Sequence, residues 1–276
     1  MNLSDRDNGL LGIASSADAT HVSSSNRPPA RLRRAMRIGL LIASLFACLP
    51  PHLLYRLFRR PSPWPSRFLA LAARSAGARV HIEGKPMGHD AFYVSNHVSW
   101  IDILALGGHS GCAFVAHDGI ARWPLIGWLA AQNNTIFVSR ETRRDVHKQV
   151  DELRGALARH QPIAVFPEGT TGDGVSLLPF KPSLLAVMAP PPRDMLVQPV
   201  FIDYGDAAPD IAWINGEPAG KNAARVLARE GQLPVTLRFL EPFDPAHFSD
   251  RKAIAIEARK RIAACLSAFA GTGGHV

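Results

Sequence analysis

The chain has 276 residues, which is enough for one sizeable hydrophobic core and does not require a second globular domain. Its formal net charge of +8 at pH 7 indicates an anionic partner, either a phospholipid surface, a phosphorylated substrate or nucleic acid. The three cysteines lie far apart and form no C-x-x-C pair. They therefore indicate neither a disulfide framework nor a zinc site, and they are typical of a reducing interior.

Composition divides the chain into three parts. Residues 1–30 are rich in Ser, Asn, Asp and Ala and show almost no apolar periodicity, which predicts a disordered tail. Residues 31–78 are predicted to form a membrane-anchoring helical segment. Residues 79–270 alternate between short apolar runs and helical patterns, so we expect them to form a globular domain.

The anchoring segment is apolar but short. From Ile38 to Tyr55 only His52 can carry a charge, and Pro50 and Pro51 interrupt the stretch after twelve residues. A transmembrane helix needs about 20 apolar residues, so we expect an interfacial helix that turns at the proline pair. With the amphipathic stretch Trp64–Ala78 it would form a helical hairpin in one leaflet.

Basic residues flank the apolar stretch, as they do in segments that lie on a membrane surface. The arginines before and after it are Arg27, Arg31, Arg33, Arg34, Arg37, Arg56, Arg59 and Arg60. A single tilted span and a cleaved signal peptide are the competing interpretations. The signal peptide is disfavoured because roughly thirty polar residues precede the basic stretch.

Seven β-type runs follow the anchor: Arg79–Glu83, Ala91–Ser95, Cys112–Ala116, Thr135–Val138, Ile163–Phe166, Val197–Ile202 and Val235–Phe239. Helical periodicity is clearest over Glu141–His160 and Arg251–Phe269. Strands that alternate with helices predict an α/β fold with a mixed, mostly parallel sheet flanked by helices. Active sites in such sheets gather at strand ends.

The first chemical motif follows the second predicted strand. His97 and Asp102 lie five residues apart in Ser95-Asn96-His97-Val98-Ser99-Trp100-Ile101-Asp102. A carboxylate next to a histidine orients the imidazole and stabilises the imidazolium, which makes the pair suited to general-base catalysis. Five residues along a regular helix diverge by about 140°, so we expect His97 before the helix and Asp102 about one turn inside it.

A second motif, Phe166-Pro167-Glu168-Gly169-Thr170-Thr171-Gly172-Asp173-Gly174, also follows an apolar strand. Its glycines and threonines let backbone N–H groups and hydroxyls approach an anion, as in phosphate-binding loops. Glu168 is unusual for phosphate binding, and it suits a hydroxyl or a basic neighbour instead. An ordinary glycine-rich turn is the competing interpretation.

Two further positions complete the set. Arg140 ends the strand pattern Thr135–Val138 and suits a phosphate or carboxylate, although such an arginine is more often a surface charge. Pro199 lies inside an apolar strand, which predicts a sheet edge or a bend.

Taken in order, these four blocks resemble those of the glycerolipid acyltransferases, the family of 1-acylglycerol-3-phosphate acyltransferase. The resemblance runs from about residue 80 to 240 and implies that residues 79–270 are an acyltransferase domain. It implies His97 as the general base and Asp102 as its orienter, with direct attack of the acceptor on a thioester. The implied acceptor-binding residues are Asn96, Arg140, Glu168, Gly169, Thr170, Thr171 and Lys181.

The resemblance also implies the partners. They are acyl-CoA or acyl-carrier protein as donor, a lysolipid acceptor and the membrane phospholipid surface, with no nucleic acid and with no metal or organic cofactor. The expected location is the cytoplasmic face of the inner membrane.

The loop that contains Glu168, which is the third block in chain order, departs from the family pattern where the head group would bind. Thr171 stands where an Arg usually follows Glu-Gly-Thr, which weakens the case for a phosphomonoester acceptor. The variant loop followed by Leu-Pro-Phe-Lys181 is similar to the lyso-ornithine lipid acyltransferases. Lysophosphatidic acid stays slightly ahead on family breadth, and lyso-ornithine lipid is the alternative.

Two other classes of protein compete with this interpretation. A serine hydrolase would use Ser110 in Gly108-His109-Ser110-Gly111-Cys112, an imperfect nucleophile elbow. A non-catalytic binder of anionic lipid explains the charge and the anchor but not the combination of His97, Asp102 and Glu168.

Overall fold

The computed structural model describes residues 28–138, 160–191 and 194–270. The predicted tail up to residue 27, the predicted helix over 141–159 and Arg140 lie outside these residues. The described helices are α1 (Ala30–Leu57), α2 (Trp64–Ser75), α3 (Ile101–Ser110), α4 (Asp118–Ala121), α5 (Pro124–Gln132), α6 (Ala208–Ile211), α7 (Ala219–Ala228) and α8 (Arg251–Ala270). The strands are β1 (Ala78–Glu83), β2 (Ala91–Ser95), β3 (Ala113–His117), β4 (Ile136–Val138), β5 (Ile163–Val165), β6 (Leu196–Asp203) and β7 (Leu233–Phe239). Three 3₁₀ turns cover Pro182–Met188, Gly205–Ala207 and Pro245–His247.

The strands form one sheet in the order β1-β7-β6-β2-β5-β3-β4. Strands β6 and β7 pair antiparallel, and the other neighbouring pairs of described strands are parallel. The predicted mixed, mostly parallel sheet is confirmed, and each predicted strand is present within two residues of its predicted bounds. Apolar runs of this length are reliable strand signals when both faces of the sheet are covered.

Both faces of the sheet are covered. Side chains alternate along β2, so that Tyr93 packs with the core on one face, while Phe92 and Val94 pack on the other. Leu106 of α3 belongs to the first core and Ile254 of α8 to the second. The central strands are therefore buried, and functional side chains project only where these strands end.

The sheet edge predicted from Pro199 is wrong, because β6 is an interior strand between β7 and β2. The regular pairing of β7 stops at Phe239, opposite Val200. Beyond that point the Pro199 carbonyl accepts a hydrogen bond from the N–H of Leu240, which lies outside β7 (3.0 Å). Proline is tolerated here because the neighbouring backbone is irregular where a second ladder bond would form.

Helices α1 and α2 pack against each other as the predicted hairpin, but α1 does not turn at Pro50 and Pro51. It is one helix of 28 residues. Proline has a helical φ, but inside a helix it loses its N–H bond and its ring crowds the carbonyl four residues back, so packing on both sides of the pair must offset this cost. Before the pair, Ser44 Oγ lies 3.2 Å from Ser75 Oγ. After it, the ring nitrogens of His52 lie 2.9 Å from Ser62 Oγ and 3.2 Å from Gln132 Oε1.

Two of the arginines predicted to flank a membrane segment bind the protein instead. Arg33 Nε donates to the carbonyl of Ala228 (3.0 Å), and Arg37 donates to the carbonyls of Leu227 (3.2 Å) and Gly231 (2.9 Å). The last carbonyls of α7 have no partner within their own helix and carry partial negative charge, which suits a guanidinium. These two cations are thereby committed to holding α1 on the domain.

Candidate active site

The candidate site lies at the carboxyl ends of three adjacent parallel strands. His97 follows β2, Glu168 follows β5 and Tyr204 follows β6, and β2 lies between the other two. Residues far apart in sequence are therefore neighbours in space. This is the edge at which α/β folds place their ligands.

The His97–Asp102 pair is in direct contact. His97 Nδ1 lies 2.7 Å from Asp102 Oδ2, and the same oxygen accepts the N–H groups of Val98 (2.6 Å) and Ser99 (2.9 Å). As predicted, His97 precedes the helix, but Asp102 is the second residue of α3 and not one turn inside it. Its carboxylate thus holds the backbone that leads into the helix, and its negative charge lies near the helix N-terminus, where it is favourable.

The second oxygen of Asp102 has its own partner, which the sequence motifs do not include. The hydroxyl of Tyr204 donates to Asp102 Oδ1, and both residues are fully buried. Burial and the nearby Asp102 charge raise the pKa of Tyr204 well above 10, so the phenol remains a donor. A buried carboxylate with four hydrogen bonds is held in one orientation.

The His97 ring is fixed on its face as well as at its edge. It stacks on Phe166 with ring centroids 4.2 Å apart and an angle of 16° between the planes. About a fifth of its side chain, 20 %, remains exposed. Because Nδ1 faces a carboxylate, the neutral ring carries its proton there, and Nε2 is the basic nitrogen.

Glu168 is buried and directed at the backbone of the site. Its Oε1 accepts the N–H of His97 (3.0 Å) and its Oε2 accepts the N–H of Leu178 (3.3 Å). Burial raises the pKa of Glu168 to about 7, against the opposing effect of these two bonds. The N–H of Gly172 donates to the His97 carbonyl (2.7 Å), so the glycine-rich loop encloses the His97 backbone.

Of the remaining predicted residues, some have side chains that hydrogen-bond to the protein backbone and others have exposed side chains. Asn96 is buried and bonds both backbone groups of Ile202, at 2.8 and 2.9 Å, and the Thr171 hydroxyl donates to the Trp213 carbonyl. Thr170 and Lys181 are exposed. The Lys181 ammonium lies over Gly169, since a methyl group added to that glycine would be 2.5 Å from Nζ. Gly169 has a φ of +67°, which favours glycine.

The nucleophile elbow proposed around Ser110 is wrong. A nucleophile elbow joins a strand to a following helix, whereas Ser110 ends α3 and precedes β3. Its hydroxyl donates to the Leu106 carbonyl of its own helix (2.7 Å), and the neighbouring His109 lies 2.9 Å from the Ala105 carbonyl through Nδ1. Neither side chain approaches the other as a catalytic pair.

The fold is an α/β sheet with a His97–Asp102 pair at the carboxyl end of β2, and no serine or cysteine side chain among the described residues hydrogen-bonds His97. Residues 77–203 match the family model described as Acyltransferase. A lyso-ornithine lipid O-acyltransferase of Rhodobacter capsulatus is 34 % identical over 250 residues, which are 83 % of this chain and 90 % of the relative. The chain belongs to the acyltransferase family.

Two further comparisons agree. A 1-acyl-sn-glycerol-3-phosphate acyltransferase of Neisseria gonorrhoeae is 35 % identical over 168 residues, which are 61 % of each chain. The crystal structure of the 1-acyl-sn-glycerophosphate (LPA) acyltransferase PlsC from Thermotoga maritima has a TM-score of 0.64 at 21 % identity, covering 89 % of this chain and all of that one (100 %). This second likeness shows that the fold is shared.

Proposed function

We propose that the chain transfers a fatty acyl group from the thioester of acyl-CoA or acyl-carrier protein to the free hydroxyl of a lysolipid. The observation that carries this proposal is the 2.7 Å contact between His97 Nδ1 and a fully buried Asp102. It gives the ring a fixed tautomer with a basic Nε2 at a solvent-reachable edge.

In the proposed reaction, His97 Nε2 removes the proton of the acceptor hydroxyl as its oxygen attacks the thioester carbonyl. The new C–O bond forms, the C–S bond breaks, and the proton passes from the imidazolium to the departing thiolate. The Asp102 carboxylate stabilises the imidazolium, and its two backbone donors and Tyr204 hold it in the orientation that contacts His97. This chemistry uses no metal or organic cofactor.

We propose lyso-ornithine lipid as the acceptor, ahead of lysophosphatidic acid. Four lyso-ornithine lipid O-acyltransferases match this chain over most of its length, whereas the two Neisseria glycerol-phosphate enzymes match a shorter part. The site agrees with this choice, because Thr171 replaces an expected arginine and its hydroxyl is bonded to Trp213. Arg140 stays a prediction outside the described residues.

The membrane association of α1 is proposed to be interfacial. By length and composition α1 could cross a membrane. Yet it is bound to the domain at Arg33, Arg37, His52 and Arg56, positions that span about 35 Å of helix. A spanning helix would have to give up these contacts. We therefore place the domain of residues 79–270 on the bilayer surface, on the cytoplasmic side where both donors occur.

The test is acyl transfer by the purified full chain, offered lyso-ornithine lipid and lysophosphatidic acid in parallel, with each donor and with EDTA present. We expect O-acylated product by mass spectrometry, with the higher kcat/KM for lyso-ornithine lipid. A preference for lysophosphatidic acid would overturn the acceptor assignment. No transfer to either lipid would overturn the function, and loss of activity in EDTA would overturn the metal-free reaction.

A further inference from the structure

Helix α5 has the opposite exposure pattern to a helix of a soluble domain. It contains no charged residue, and large apolar side chains face solvent: Leu125 is 56 % exposed, Ile126 46 % and Trp128 40 %, and Trp123 just before the helix is 47 % exposed. Its buried residue is Gly127, where a methyl group would lie 2.4 Å from the Ala121 carbonyl oxygen. Soluble helices bury their apolar side, so this side of α5 faces an apolar partner.

This side of α5 is continuous with the end of α1. Gln132, the last residue of α5, has its Oε1 3.2 Å from His52 Nε2 and 3.1 Å from Arg56 Nη1. The end of α1 and the residue after it add further exposed apolar side chains. We call the combined set the α1–α5 surface: Leu53, Leu54, Leu57, Phe58, Trp123, Leu125, Ile126 and Trp128.

Basic side chains predominate beside this surface, although Asp118 begins the preceding helix α4. Arg122 precedes α5, while Arg56, Arg59 and Arg60 lie at the end of α1, and all four are exposed. Residues 119–132 contain no Asp or Glu. Tryptophan is enriched at membrane interfaces, and arginines near a surface attract anionic lipids. A symmetric contact between two copies of the chain would instead bring these like charges together.

We infer that the α1–α5 surface docks onto an anionic lipid bilayer, with Trp123 and Trp128 at the level of the head groups. The α4–α5 segment is then a second lipid contact beyond the α1–α2 hairpin, and it fixes how the domain is oriented on the bilayer. This inference rests on the proposed function only in that the acceptor is a membrane lipid.

Tryptophan quenching tests the docking without any acyl transfer. The full chain is added to vesicles of phosphatidylcholine and phosphatidylglycerol, with or without bromine on the acyl chains, and compared with the Trp123→Phe/Trp128→Phe double variant. We expect the emission lost in the double variant to be the emission that brominated lipid quenches most. If brominated lipid leaves that emission unquenched, the inference is wrong.

A charge-insertion pair extends the test to turnover. Leu125→Glu/Ile126→Glu is compared with Ile256→Glu, which alters an aliphatic side chain on α8 that is 68 % exposed. We expect kcat/KM on vesicle-borne acceptor to fall about tenfold in the first variant alone, with transfer to a short-chain, monomeric acceptor unchanged. An equal fall in the Ile256→Glu control, or no fall, contradicts the inference. A wild type that transfers no acyl group overturns the proposed function, and quenching still decides the docking.

Discussion

The candidate site and the α1–α5 surface differ in which kind of side chain is buried and which is exposed. In the site, polar groups are buried, and Asp102 alone takes hydrogen bonds from two backbone N–H groups, a histidine and a tyrosine. On the surface, apolar groups such as Trp123 and Leu125 are exposed in the part of the chain that the structure describes. Buried polar groups with internal partners indicate a site organised before substrate arrives, and exposed apolar groups indicate that the partner is external.

The largest effect is expected from Asp102→Asn, which removes the buried charge but keeps the shape. We expect transfer to fall by about 10³-fold or more, because a neutral amide neither fixes the tautomer of His97 nor stabilises its protonated form. The measurement is kcat with saturating donor and acceptor. Asp250→Asn, at the exposed start of α8, is the matched control and should keep full activity. Activity within tenfold of wild type would show that the pair is structural only.

Glu168→Gln tests whether burial raises the pKa of the Glu168 carboxyl in the folded chain. The pKa of Glu168 in the folded chain is raised from 4.5 to about 7, so the unfolded chain loses this proton first as pH rises. The contribution of Glu168 to the free energy of unfolding therefore falls by about 3 kcal/mol as pH rises from about 4.5 to 7. Above pH 7 this contribution no longer changes.

The measurement is the free energy of unfolding in urea at several pH values for wild type and Glu168→Gln. The wild type should lose stability relative to the glutamine variant as pH rises through this window. Because the other titrating groups are common to both chains, their difference isolates Glu168. Curves that stay parallel would contradict the raised pKa.

Helix α2 packs on α3, the helix that carries Asp102, and Gly108 permits that contact. A methyl group at Gly108 would lie 2.5 Å from the backbone nitrogen of Ala70, so the helices must separate. We expect Gly108→Ala to lower the free energy of unfolding by about 2 kcal/mol. Gly220→Ala in α7, where nothing lies within 4 Å, should instead raise it by about 0.5 kcal/mol. Equal values for the two variants in denaturant titration would show that the contact is loose.

Tyr204→Phe has the smallest expected effect and tests positioning alone. Removal of the Tyr204 hydroxyl leaves Asp102 Oδ1 without its side-chain donor. We therefore expect kcat to fall about tenfold with KM unchanged. Tyr93→Phe is the control, because Tyr93 is equally buried but donates to the Met87 carbonyl. A fall in both variants, or a change confined to KM, would make the Tyr204 bond an ordinary core contact.

Local patterns predicted the strands and the His97–Asp102 contact, because apolar runs and a five-residue spacing are short-range features. Tyr204 was not predicted, since it reaches Asp102 only because β6 lies next to β2, and strand order is not encoded in local periodicity. The predicted turn at Pro50 and Pro51 is absent for a related reason, because packing along α1 overrides the local preference of proline.

The arginine pattern shows the same limit. Arg33 and Arg37 have the spacing of a membrane flank, yet the carbonyls at the end of α7 lie within reach only in the folded chain. Exposed apolar residues on α5 were likewise not separable from core residues by composition. Sequence patterns identify which groups are apolar or charged, while the tertiary fold decides which of them keep an external partner.

The most direct test of the account compares wild type with His97→Ala in radiolabelled acyl transfer to vesicle-borne lyso-ornithine lipid, with circular dichroism and vesicle binding measured on the same samples. We expect transfer to be abolished in the variant while the fold and vesicle binding stay intact, because only the base is removed. Transfer at the wild-type rate by His97→Ala would contradict the central claim.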